Sequence, residues 1–387
     1  MNASTRPLSL SSFDEAMRFL YRLRSFGTKL GLENVRFLLD KLGSPDSHGD
    51  YLHIAGTNGK GSTAAFLSSI LREAGLKVGL FTSPHLLVFN ERIQINGVPI
   101  SDQAVLEHLN AILPVAARME ADGVHRYPTF FEVVTAIATL HFAAAGVDAV
   151  VWETGMGGRL DATNAVRTRA SVITSVSLDH TAWLGGTIEK IAAEKAGIIR
   201  PATPVFTSVI DAQALKVILK TVVERQAPAV CIAPESEAGM FHAVVSEACG
   251  YYAYMIRYVP YEARRARSGN YSLSIQPLGL EALPLSLAGR HQVQNAALAT
   301  AVGQWYLSSR RLLASLTESD LGEPMPETTS GLHGFSVDGP KYQSASVNPR
   351  SAIRKGLASA VWPGRFQVLR QKPLVVLDCA HNADAAL

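Results

Sequence analysis

The stretch Tyr51-Leu52-His53-Ile54-Ala55-Gly56-Thr57-Asn58-Gly59-Lys60-Gly61-Ser62-Thr63 constrains the fold more than any other, because an apolar strand runs straight into glycines, a lysine and hydroxyls. Glycines let backbone N–H groups close around phosphate oxygens. Lys60 brings a point charge to the terminal phosphates, and Ser62 or Thr63 can hold the Mg²⁺ that travels with them. Ala64 to Ala74 are helix formers stopped by Gly75, so the phosphates would sit at the positive end of a helix dipole. The spelling departs from the common G-x-x-x-x-G-K-[ST] pattern: only two residues separate Gly56 from Gly59, and Gly61 precedes Ser62. On these residues alone, the competing reading is a plain glycine turn between strand and helix.

The rest of the chain supplies a sheet for that loop. Ser12-x-x-Glu15 forms a capping box, followed by Phe13, Met17, Leu20 and Tyr21 at helical spacing. A second helical pattern runs through Leu32, Val35, Phe37, Leu38 and Leu39. Continuous apolar runs at Leu76 to Phe81, Ala149 to Trp152 and Ala170 to Val176 alternate with helices, among them Thr129 to Ala145. This alternation predicts an α/β fold with a doubly wound, mainly parallel sheet covered on both faces. Residues 1–310 are expected to form an ATP-binding domain, with an appended antiparallel β subdomain at about 204–287. Residues 311–350, rich in Ser, Pro, Glu and Gly, read as a linker or poorly ordered insertion. From 351 to 387 the pattern reads as the start of a C-terminal domain with strands at Phe366 to Leu369 and Leu374 to Leu377.

Composition narrows the function. Thirty-six basic and thirty-three acidic residues leave a net charge of +3, too even for a nucleic-acid or anionic-membrane surface. Three cysteines without metal-ligand spacing fit a reducing compartment. The first residues lack a signal-peptide run, and the chain reads as a cytoplasmic monomer acting on small molecules.

In a doubly wound sheet, ligands bind beyond the carboxyl ends of the strands. Those ends are polar here: Thr82-Ser83-Pro84-His85, then Glu153 to Asn164, then Ser177-Leu178-Asp179-His180-Thr181. Glu153 closes an apolar strand where a carboxylate would meet phosphate-bound Mg²⁺; alone, it reads equally well as the cap of its own turn. His180 alone reads as a structural histidine, and Lys195 as a helix-end lysine meeting the dipole. Several strand ends bearing a hydroxyl, a carboxylate and an imidazole together point to a metal and phosphate site.

These segments, with Asn90-Glu91-Arg92-Ile93, Glu194-Lys195-Ala196-Gly197-Ile198, Gly289-Arg290-His291-Gln292-x-x-Asn295 and Trp362-Pro363-Gly364-Arg365-Phe366, resemble the folylpolyglutamate synthase/dihydrofolate synthase family of Mur-ligase-like, ATP-dependent amide ligases. The motifs fall in family order and include its G-T-N-G-K-G-S phosphate loop. The resemblance implies ligation of L-glutamate to dihydropteroate or a folate through an acyl phosphate. It implies nucleotide contacts from Gly56, Thr57, Asn58, Gly59, Lys60, Gly61, Ser62, Thr63, Asn295, Arg365 and Asp378. It implies two Mg²⁺ sites drawing on Ser62, Ser83, Glu153 and His180, and a carbamylated Lys195. Catalytic work falls to Lys60, Glu153, His180, Lys195 and His381, and substrate contacts to Arg92, Phe130 and Asp161.

The family's D-G-A-H-N-P reads Asp378-Cys379-Ala380-His381-Asn382-Ala383, four residues before Leu387. A family C-terminal domain continues as a Rossmann-like sheet, so the expectation is a C-terminally truncated member with residues beyond about Leu316 poorly packed. The competing expectation is a homologue that binds nucleotide or pterin without completing ligation.

Overall fold

The computed structural model describes residues 7–24, 31–237, 253–262, 271–275, 278–315, 348–380, 382 and 384. The chain divides into two units, one of Met1–His53 and Lys77–Arg169, the other of Ile54–Leu76 and Ala170–Leu387. Strand β1 (Asp50–Ala55) passes from the first into the second.

The first unit opens with α1 (Phe13–Leu23) and α2 (Glu33–Lys41). Ser12 Oγ accepts the Glu15 N–H at 3.3 Å, while the Glu15 carboxylate accepts from Ser11 N and Oγ at 2.9 and 2.8 Å. The capping box therefore closes one residue earlier than its spelling predicts. Next come β2 (Val78–Phe81), β3 (Ile93–Ile95), β4 (Val98–Pro99), α4 (Asp102–Ala121), α5 (Phe130–Ala145) and β5 (Ala149–Glu153). β2 and β5 run parallel, Val78 opposite Ala149 and Phe81 opposite Trp152; β3 pairs antiparallel with β2, and β4 antiparallel with β3. Their core is aromatic. Trp152 packs 4.4 Å from Phe81 and edge-on to Tyr51 at 5.3 Å, ring centre to ring centre, and all three are buried.

The second unit contains α3 (Lys60–Glu73), β6 (Ala170–Ile173), α6 (Thr181–Leu184), α7 (Ile188–Ala196), β7 (Val205–Thr207), α8 (Ala212–Glu224), β8 (Ala229–Pro234) and β9 (Ala253–Glu262). It continues with β10 (Tyr271–Ile275), β11 (Leu280–Pro284), α9 (His291–Ser315), α10 (Pro349–Ser359), β12 (Gln367–Gln371) and β13 (Leu374–Leu377). β6, β7, β8 and β9 are successively parallel, and β10 and β11 add antiparallel strands. The mainly parallel α/β sheet is as expected, but residues 204–234 extend its parallel part; antiparallel pairing begins only between β9 and β10. The apolar stripe of α8 explains this, since Leu215, Ile218, Leu219 and Val222 bury themselves against the α7 side of a parallel sheet.

α3 is buried from Gly61 to Leu71, packed between α9 and α10. Of the expected linker, residues 316–347 lie outside the described residues, and its two ends belong to α9 and α10. α10 is ordered by packing, with Ala352, Ile353 and Leu357 fully buried. β12 and β13 pair as an antiparallel hairpin of their own. Among the described residues no helix is long and apolar enough to cross a membrane.

Candidate functional site

In the second unit, the turn from Gly56 to Gly59 joins β1 to α3, and the helix begins at Lys60, so Lys60, Gly61 and Ser62 form its first turn. Gly59 is the N-cap, in the left-handed region at φ 83°, with no side-chain capping bond. A helix start of this kind presents its first-turn N–H groups toward an anion. Ser62 and Thr63 are buried, and Thr63 Oγ1 has no hydrogen-bond partner. Lys60 Nζ folds back over its own loop, donating to Gly56 O at 2.8 Å and Thr57 O at 2.9 Å.

Residues following β6 brace this loop from behind. Thr57 N donates to Ser175 O at 2.8 Å, and Asn58 N to Ser175 Oγ at 2.9 Å; Thr174 Oγ1 donates to Asn58 O at 2.6 Å. A Cβ on Gly56 would lie 1.8 Å from Thr174 Oγ1, and one on Gly59 would lie 2.3 Å from Asn295 Oδ1. Close approach therefore requires both glycines. Asn295 donates to Gln292 Oε1 at 3.0 Å, which leaves its own oxygen facing the loop. Asn58 and Asn382 exchange amide hydrogen bonds at 3.0 and 3.1 Å, and Asn382 also donates to Asp179 at 3.1 Å.

Lys195, in the last turn of α7, is 3% exposed. Burial, helped by the Lys60 charge and opposed by Asp179, draws its pKa down to about 7. His180 is exposed, left-handed at φ 49°, and 3.9 Å from the Asp179 carboxylate. The Asp378 carboxylate accepts from Phe366 N at 2.7 Å and Ala380 N at 2.8 Å, tying the base of the β12–β13 hairpin. Asp378 and Arg365 both act electrostatically on His291, whose pKa is lowered chiefly by burial. His381 lies outside the described residues.

In the first unit, Glu153 closes β5 and is 3% exposed; its Oε2 accepts the Ser83 N–H at 2.9 Å. Arg92 is buried, and its Nε donates to His85 Nδ1 at 2.8 Å. That bond needs a neutral His85, and burial together with Arg92 lowers the His85 pKa. The guanidiniums of Arg92 and Arg24 each lie 5.7 Å from the centre of the Phe130 ring, and Tyr21 stacks on that ring at 6.1 Å. Phe130 projects from an α5 N-terminus held by Glu132, which accepts from Thr129 N at 2.7 Å and takes both Arg126 nitrogens at 2.6 and 2.9 Å. Asp161, also buried, accepts from Met156 N at 2.8 Å and from Thr163 N at 3.0 Å. Burial raises its pKa, and those donors oppose the rise.

Among the described residues no three His, Cys, Asp or Glu side chains cluster as a metal site. Of the four residues expected at Mg²⁺, Ser83 and Glu153 belong to the first unit, Ser62 and His180 to the second. Reading strand ends would have found Thr174 and Ser175 had β6 not been expected to reach Val176; it stops at Ile173. Trp362 and Asn382 sat inside noted motifs, but nothing in their spelling reveals their partners.

Residues 54–303 match the family model described as the Mur ligase middle domain. The chain is 35% identical to the dihydrofolate synthase/folylpolyglutamate synthase of Bacillus subtilis over 97% of its own length and 74% of that protein. The Escherichia coli FolC structure in complex with DHPP and ADP superposes with a TM-score of 0.70 at 31% identity, covering 98% of this chain and 73% of that one. The Mycobacterium tuberculosis folylpolyglutamate synthase complexed with ADP and AMPPCP gives a TM-score of 0.73 at 30% identity, covering 97% and 72%.

Proposed function

The chain belongs to the dihydrofolate synthase/folylpolyglutamate synthase family of Mur ligases, and from that premise we propose how its residues divide the ligation. The reaction is the ATP-dependent joining of L-glutamate to the carboxylate of dihydropteroate, of a folate, or of both. A carboxylate is a poor electrophile until one of its oxygens becomes part of a leaving group. An acceptor oxygen attacks the γ-phosphorus and ADP departs. The glutamate amine then attacks the carbonyl carbon, and phosphate leaves with the former carboxylate oxygen.

The observation that carries the assignment is the braced, uncapped first turn of α3. Its N–H groups, the Lys60 ammonium and the Thr63 hydroxyl form a donor set that fits a triphosphate. Lys60 follows the charge that builds on the transferring phosphoryl group. Asn295, Arg365 and Asp378 are assigned to the nucleotide, and His381 to the same step. Ser62, Ser83, Glu153 and His180 are assigned to Mg²⁺: hydroxyls and a buried carboxylate suit a hard cation held largely through oxygen and water, and the His180 imidazole would be its one nitrogen donor. When bound, Mg²⁺ would neutralise phosphate charge. Arg92, Phe130 and Asp161 are assigned to the acceptor, the guanidinium for its anionic end and the ring for its aromatic part. Lys195 is assigned as a carbamate: its neutral amine adds to CO₂, loses a proton, and turns a buried cation into an anion.

Phosphate release from ATP, followed with each substrate omitted in turn, tests the reading. Release should require both the pterin-linked acceptor and L-glutamate. Nucleotide binding without acceptor-dependent release would establish a non-ligating homologue instead.

A further inference from the structure

Gly61 sets this phosphate loop apart from the commoner spelling, and its backbone does not explain why. It lies in the first turn of α3 and is not among the positive-φ glycines, so an L-residue could adopt its conformation. What forbids a side chain there is Trp362. A Cβ on Gly61 would lie 2.9 Å from both Cζ2 and Nε1 of that indole, closer than carbon atoms pack.

The chain leading to Trp362 is fixed by separate contacts. α10 crosses α3 so tightly that a Cβ on Gly356 would meet the Ile70 nitrogen at 2.6 Å. Ser69 and Ser359 hydroxyls lie 3.2 Å apart, and Ser286 donates through N to Leu357 O at 3.0 Å and through Oγ to Ala360 O at 2.6 Å. The indole therefore reaches the phosphate loop from a segment that is itself clamped along the same helix.

We propose that Trp362 is a positioning residue for the phosphate loop, its indole seated on Gly61 and fixing the first turn of α3 for nucleotide, with residue 61 kept as glycine to admit it. The proposal rests on the nucleotide-loop assignment. It explains a glycine that turn geometry does not demand. The indole buttresses the backbone from the side and touches no reacting atom, so its loss weakens ATP binding more than it slows the chemical steps.

A double-mutant cycle on the full chain tests this: parent, Gly61→Ala, Trp362→Leu and the pair, with AMPPCP affinity measured at equilibrium and KM and kcat for ATP alongside. Gly61→Ala should weaken nucleotide binding about tenfold, Trp362→Leu by a similar factor, and the double variant no more than Trp362→Leu alone, because the added methyl then has nothing to displace. Trp362→Phe, which keeps an aromatic wedge, should restore most of the affinity and keep the fold readable by circular dichroism. Multiplying losses in the double variant, or a Gly61→Ala protein that binds AMPPCP like the parent, would overturn the proposal. Lys60→Ala serves as the reference: if it too binds AMPPCP normally, the loop assignment has failed rather than the role of Trp362 alone.

Discussion

The phosphate loop and the cluster around Phe130 are built by opposite means. The loop is backbone, shaped by glycines and braced by main-chain and hydroxyl bonds from Thr174 to Ser177. The cluster is side chain: two guanidiniums and a tyrosine gathered from the end of α1 and the segment after β2 around the Phe130 ring of α5, with an imidazole behind Arg92. A loop of the first kind can serve any nucleoside triphosphate, because every N–H presents the same donor. A cluster of the second kind discriminates, because each side chain can be changed alone. On the assignment proposed above, specificity for the acceptor would belong to the cluster and the handling of the transferred phosphate to the loop.

The comparison breaks most sharply at Lys60. Lys60→Ala should lower kcat with saturating ATP by about 10²–10³-fold while the fold survives; a turnover number equal to that of the parent would remove the loop from the chemistry. Glu153→Gln keeps the shape and loses the charge. It should raise the Mg²⁺ concentration for half-maximal activity by about ten- to a hundredfold, with little change in acceptor KM. Titrating Mg²⁺ at fixed acceptor separates the two, and an unchanged Mg²⁺ dependence would sink the assignment. Arg92→Ala should raise the acceptor KM by about tenfold, since a charged hydrogen bond and a cation–π contact go together. AMPPCP affinity, measured on the same protein, should stay within twofold or so; if it falls with the KM, the division between loop and cluster is wrong.

The smallest effect concerns Lys195. With its pKa near 7, the amine is protonated below that pH and free above it, so a carbamate should form as pH rises through neutrality. Carbon-13 bicarbonate should give a protein carbamate resonance at pH 8 that fades by about pH 6. Its absence at both values, with nucleotide and Mg²⁺ present, would refute the modification.

How much of this the sequence disclosed follows the same division. The strand-to-helix junction holding Gly56, Lys60 and Ser62 and the parallel strands were legible because local spelling dictates them. The helix start was misplaced by four residues, at Ala64 instead of Lys60, because Gly59 at the N-cap and Gly61 in the first turn lower helix propensity. Residues 204–234 read as antiparallel because short strands alternate alike in either direction; only the crossover helix α8 decides. The packing of α10 on α3 and of Trp362 on Gly61 joins residues nearly three hundred positions apart in sequence or more, which no local pattern reports. The Arg24–Phe130 and Arg92–Phe130 contacts escaped for the same reason.

The central claim is that ATP activates the acceptor as an acyl phosphate before glutamate attacks. Dihydropteroate carrying oxygen-18 in its carboxylate, turned over by the full chain with ATP and L-glutamate, tests it by mass spectrometry of the released phosphate. One labelled oxygen should appear in each phosphate formed, because the leaving group keeps the oxygen that attacked the γ-phosphorus. Unlabelled phosphate, with both labelled oxygens accounted for in acceptor or water, would contradict the account.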